Sequence, residues 1–140
     1  MKGGLATESG SANENILITK NITRDSHCGF GLGSENTKGL KNTVVYDNTF
    51  EKSRTGALYF KTPAGRGGST EKVYIVKNTV TNPKDAISFN TQYDYTDITG
   101  KSKTAKEDKT KCLPDLHDIH ISNLTVTGGA LSETKNAFYI

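Results

Sequence analysis

Short runs of β-branched and apolar residues recur along the chain, each closing near an asparagine: "NILITKN" (15–21), "NTVVYDN" (42–48), "KVYIVKN" (72–78) and "DIHISN" (118–123). A turn-rich stretch follows each run, and then a second short run: "FGLGS" (30–34), "ALYFKT" (57–62), "AISFNT" (86–91) and "AFYI" (137–140). Asn21 to Asn48 is 27 residues and Asn48 to Asn78 is 30, a period that belongs to stacked repeats rather than to a single globule. The alternation and the Ile, Val, Thr, Tyr and Phe content predict strands, and no stretch carries a helical period of useful length. A coil of about 28 residues holding two or three short strands, stacked on the next at about 4.8 Å, predicts an all-β parallel β-helix of four to five coils.

The recurrent asparagines suit such a stack, because a turn asparagine tolerates a left-handed backbone and can hydrogen-bond its copy in the next coil. "ILITKN" carries one residue more before its asparagine than "IHISN", so an unbroken ladder is not expected. An antiparallel sandwich of eight short strands is the alternative, disfavoured by the lack of Asn-Gly hairpin turns. The whole chain, 1–140, reads as one domain. Residues 92–116, "QYDYTDITGKSKTAKEDKTKCLPDL", interrupt the period and read as an inserted surface loop.

Composition narrows the function. With 33 % hydrophobic residues among 140, a layered core is more plausible than a large central one. The net charge of +3 is spread along the chain and forms no basic stripe, so nucleic acid is not an expected partner. No stretch is apolar enough to span a membrane, and "MKGGLATESGSANEN" contains no signal-peptide core. Cys28 and Cys112 match no metal-ligand spacing and are either two free thiols or one bridge in an oxidising compartment. His117 and His120, three apart on a strand, face opposite ways and do not suggest a shared metal.

The stretch "SHCGFGLGSE" (26–35) is the richest in candidate chemistry. Its glycines do not match the dinucleotide fingerprint, and "GRGGST" (65–70) lacks the lysine of a phosphate loop, so no cofactor is expected. Small residues alternating along a strand instead keep one face low, so that a ligand can approach the backbone.

"SHCGFGLGSE" resembles the His-Gly-Gly-Phe-x-Ile-Gly-Ser-Glu segment of the polygalacturonases, the family 28 glycoside hydrolases, with Cys28 in place of a glycine. About one coil later "ALYFKTPAGRGG" is similar to that family's Arg-Ile-Lys strand and the Gly-Arg-Gly-Gly turn after it. "KNTVVYDNTF", "EKVYIVKNTV", "AISFNTQYD" and "DIHISNLTVTG" resemble the flanking coils, so the likeness covers nearly the whole chain. The resemblance implies a right-handed parallel β-helix, a secreted or periplasmic location, and inverting hydrolysis of galacturonan in pectin. Its expected partner is acidic polysaccharide.

Carried onto this sequence, the resemblance makes His27 the catalytic-site histidine and Lys61 the contact to a uronate carboxylate. Tyr59, which stands where the family has arginine, Arg66, Gly31 and Asn90 are the further expected substrate contacts, with Tyr93 beside Asn90. Inverting hydrolysis needs two carboxyl groups about 6.5–9.5 Å apart. The family takes them from Asn-Thr-Asp and Asp-Asp motifs, and neither motif occurs here. The chain therefore looks like the C-terminal part of such an enzyme and is expected to be inactive alone, with Glu35 structural. The alternative is a non-catalytic β-solenoid module that binds acidic polysaccharide or serves as a structural repeat. Neither "KGGLATESG" nor "AFYI" reads as a full polar cap, so self-association through exposed solenoid ends is expected.

Overall fold

The computed structural model describes residues 1–4, 9–92 and 110–128, and the backbone of 136–139. In chain order the strands are β1 (Asn13–Thr19), β2 (Ile22–Arg24), β3 (Phe30–Gly33), β4 (Leu40–Tyr46), β5 (Thr49–Glu51), β6 (Gly56–Lys61) and β7 (Ser69–Val76). They continue as β8 (Thr79–Thr81), β9 (Asp85–Asn90), β10 (Asp115–Leu116), β11 (Ile119–Ser122), β12 (Thr125–Thr127) and β13 (Asn136–Tyr139). No helix occurs among the described residues.

Three parallel sheets result. The first runs β1-β4-β7 and continues with both β10 and β11 on β7; the second joins β2, β5, β8 and β12; the third joins β3, β6, β9 and β13. Each strand pairs with its counterpart one repeat away, never with its neighbour in sequence, and every described pairing is parallel. The antiparallel sandwich is thereby excluded. The second sheet falls in stretches expected to be turn-rich: "ITR", "TFE" and "TVT" follow each corner asparagine and are strands of only three residues.

The inward positions of all three sheets meet in one hydrophobic cluster. Val45 and Ile75 from the first sheet, Phe50 and Val80 from the second, and Leu32, Leu58 and Phe60 from the third are almost wholly buried. In-register pairing stacks like on like: the Phe60 and Phe89 rings lie 4.7 Å apart at 7°. Parallel pairing thus turns a sequence repeat into columns of contacts, which is how a chain only one-third hydrophobic closes a core.

The corner between the first and second sheets carries a side-chain ladder. Lys20, Asp47 and Lys77 adopt left-handed φ of 56°, 55° and 56°, and the next residue in each case is an asparagine. Asn48 Oδ1 accepts from the backbone and side-chain nitrogens of Asn21, both at 3.0 Å, and Asn78 Oδ1 accepts from those of Asn48 at 3.0 and 2.9 Å. Asn48 also donates to the carbonyls of Ile18 and Tyr46. These bonds satisfy backbone groups that the left-handed corner would otherwise leave buried and unpaired. The fourth rung differs. Ser122 pairs with Val76 and Thr125 with Thr79, so Asn123 falls opposite Lys77 at the left-handed position, φ 49°, and Leu124 stands opposite Asn78.

Asp115 and Leu116, at the end of the expected 92–116 loop, are already strand β10 on β7. The residues before them lie along the Gly65–Gly68 turn, where Gly65 donates to the Lys111 carbonyl at 3.1 Å and Gly67 to that of Cys112 at 2.7 Å. The rest of that loop, Tyr93, and the side chains of "AFYI" fall outside the described residues, as do residues 5–8 of the expected N-terminal end. Cys28 and Cys112 are free thiols. His117 lies 3.0 Å from Asp115 and 3.5 Å from Glu71, whereas His120 stacks on Tyr74 at 5.1 Å.

Candidate functional site

The outward face of the third sheet breaks the repeat. Two of its columns read Gly31, Tyr59, Ser88 and Gly33, Lys61, Asn90 across β3, β6 and β9. Glycine is required on β3 for local reasons. A Cβ on Gly31 would strike Cys28 Sγ, and Gly33 has φ 102° with its missing Cβ directed at the Lys61 carbonyl oxygen. The lowered backbone of β3 leaves a recess beside the taller Tyr59 and Lys61.

That recess is a pocket of about 220 Å³ lined by Met1, Lys2, His27, Cys28, Leu32, Ser34 and the residues Gly31, Gly33, Tyr59 and Lys61. His27 reaches it from the turn before β3, and the turn is held to the next repeat by Thr55, whose amide and hydroxyl both donate to the His27 carbonyl at 2.9 and 2.6 Å. The His27 and Tyr59 rings stand 6.2 Å apart, tilted by 57°. Four of the six expected site residues, His27, Gly31, Tyr59 and Lys61, therefore meet in one cavity.

The other two lie elsewhere. Arg66 is 3 % exposed and its Nη1 donates to Glu35 Oε1 at 2.9 Å, so the guanidinium serves an internal ion pair and does not line the pocket. Asn90 sits one strand beyond Lys61 in the same column, outside the pocket lining, with its carbonyl accepting from Thr62 at 3.2 Å. Lys2, Cys28 and Ser34 are lining residues that motif reading passed over. Cys28 and Ser34 lie inside the quoted motif, but nothing local marks Lys2, which arrives because residues 1–4 run beside 33–38.

Charge enters the pocket at two places: the Met1 α-ammonium donates to the Gly31 carbonyl, and a second group gathers around Glu35. Glu35 bridges Lys2 and Arg66. Burial works against its carboxylate, but the Lys2 hydrogen bond, its own amide and the charges of Lys2 and Arg66 prevail and hold it below the ordinary carboxylate range. Burial pushes the Lys61 ammonium below the usual lysine value; Glu35 opposes that shift and Lys2 adds to it. Such a half-desolvated cation gains from an arriving anion. Burial raises the Cys28 thiol, which favours the uncharged form and makes it a packing group under Gly31 rather than a thiolate nucleophile.

None of the described residues lining the pocket is a carboxylate, and Glu35, the nearest in sequence, is committed to two cations. The arrangement can hold an anionic, hydroxyl-rich ligand through the Lys61 and Lys2 ammonium groups, the Met1 α-ammonium, one imidazole and an aromatic ring. Its lining offers neither of the two opposed carboxyl groups that inverting hydrolysis needs. Among the described residues no cluster of His, Cys, Asp or Glu is grouped for a metal ion. No family model, curated protein or solved structure matches the chain.

Proposed function

We propose that the three sheets are the faces of one right-handed parallel β-helix, and that its third face is part of a cleft for uronate-containing polysaccharide of the pectin type. The reading joins the likeness of "SHCGFGLGSE" and "ALYFKTPAGRGG" to polygalacturonases with the convergence of their key residues in one pocket. The observation that carries it is Lys61, half-buried at the mouth of a recess floored by Gly31 and Gly33, with His27 across from Tyr59.

In this reading Lys61 holds a uronate carboxylate as a point charge, His27 donates to or accepts from sugar hydroxyls, and the glycines let the sugar approach the backbone. As part of a pectin-degrading, inverting glycoside hydrolase the cleft positions substrate. On its own the chain binds without cleaving, because the pocket lacks the carboxylate pair. A galacturonan reducing-end assay tests this: no turnover above buffer is expected, and sustained turnover by the purified chain overturns the inactivity. Calorimetric titration with galacturonate oligomers tests binding, which is expected to weaken steeply with added salt and to vanish in Lys61→Ala.

A further inference from the structure

Away from the recess, residues 111–117 run along residues 65–70 as a strap tied by four backbone bonds. Gly65 and Gly67 donate to the carbonyls of Lys111 and Cys112, and Asp115 and His117 donate to those of Gly68 and Thr70, at 2.7–3.2 Å. Little apolar surface backs these bonds: Leu113 is 59 % exposed, and Leu116 is only partly buried against the core. Side-chain contacts at the end of the strap therefore weigh on whether it stays down. Leu116 pairs with Thr70 and Ile119 with Val73, so His117 stands opposite Glu71 and extends the column Glu14, Lys41, Glu71. That column alternates in sign, with Lys41 Nζ 2.8 Å from Glu71 Oε1, and a cation in the fourth place continues it.

The imidazole is set between two carboxylates, with Nδ1 3.0 Å from Asp115 Oδ1 and Nε2 3.5 Å from Glu71 Oε2. A neutral ring carries one N–H and turns a lone pair on one of these oxygens, whereas the protonated ring donates to both. We infer that His117 is an acid-set clasp: protonated, it fastens the 111–117 strap to β7, and neutral, it gives up one of its two side-chain ties. The Asp115 hydrogen bond, helped by the charges of Asp115, Asp118 and Glu71, raises the His117 pKa above the ordinary 6.5 despite desolvation. Lys72 stands opposite Asp118 in the register, and Lys41, itself beside Glu14, shares Glu71 with the ring. Because the folded pKa is raised, the added hold is complete below the ordinary histidine value and is lost as pH rises through the folded pKa. The clasp is independent of any ligand in the third-sheet recess.

The test is an NMR titration of the His117 ring in the full chain, folded and urea-unfolded, joined to amide hydrogen exchange. The folded ring is expected to titrate above the unfolded one, and Asp115→Asn and Glu71→Gln are each expected to bring its midpoint down. Protection of the Asp115 and His117 amides, corrected for intrinsic rates and referred to the Thr79 amide at the asparagine corner, is expected to fall between about pH 5 and about pH 8, a window in which ordinary carboxylates stay ionised. The fall is up to tenfold for each pH unit separating the folded and unfolded midpoints. His117→Gln removes this pH dependence while circular dichroism stays unchanged. A folded midpoint at or below the unfolded one overturns the clasp, and so does the same loss of protection with pH in His117→Gln.

Discussion

The asparagine corner and the outer face of the third sheet are built by the same parallel stacking and use it in opposite ways. At the corner the same residue returns in three successive repeats, and each Asn completes the hydrogen bonds of the one before it. On the third sheet the columns change at every step, from glycine to tyrosine to serine and from glycine to lysine to asparagine. Repetition lets identical groups satisfy one another, leaving nothing for a ligand. Its interruption leaves a short residue beside a tall one, and the difference in height is the pocket. Where a repeat protein stops repeating outside its core is therefore where recognition chemistry can sit.

Substitutions can press on each side of this contrast. Asn48→Ala has the largest expected effect, about 3–4 kcal/mol in urea or thermal melts, because it strips partners from Asn21 and Asn78 and leaves the Ile18 and Tyr46 carbonyls unpaired by it. Asn21→Ala, at the exposed end of the ladder, is expected to lower stability by only about 1 kcal/mol. Gly33→Ala comes next at about 3 kcal/mol, since it combines a positive φ with a collision against the β6 backbone, and it also closes the recess. Lys61→Ala is expected to change stability by less than about 0.5 kcal/mol while removing oligouronate binding.

Glu35→Gln is read in its pH dependence rather than in its size, since it also leaves the buried Arg66 guanidinium without its carboxylate. The Glu35 carboxyl titrates below its ordinary 4.5, so the folded state binds fewer protons than the unfolded one as pH falls below that value. Its contribution is present above about pH 4.5 and is lost as pH drops through the folded pKa. The variant should therefore show a shallower acid limb of stability than the parent, with pH 7 activity assays irrelevant to the comparison.

Much of the layered architecture was legible because the repeat is written in residue type. The β-branched runs at 15–21, 42–48 and 72–78 anticipate β1, β4 and β7, and the offset of Asn123 was visible as one missing residue before it. The three-residue strands β2, β5 and β8 were not, since a strand that short carries no alternation of its own and is defined by its neighbours. His27, Gly31, Tyr59 and Lys61 could be grouped from motif spacing because one period separates their strands. Arg66 could not be placed, because whether a guanidinium faces solvent or an internal carboxylate depends on Glu35, 31 residues away. Lys2 entered only through the pairing of the first residues with 33–38, which no local pattern announces.

The most direct test of the central claim is an amide-resolved NMR titration of the chain with short uronate oligomers, in parallel with Lys61→Gln. Perturbations confined to Lys2 and residues 27–34 and 59–61, and absent in the variant, are the predicted result. Equal perturbations in the variant, or shifts centred on the asparagine corner, contradict it.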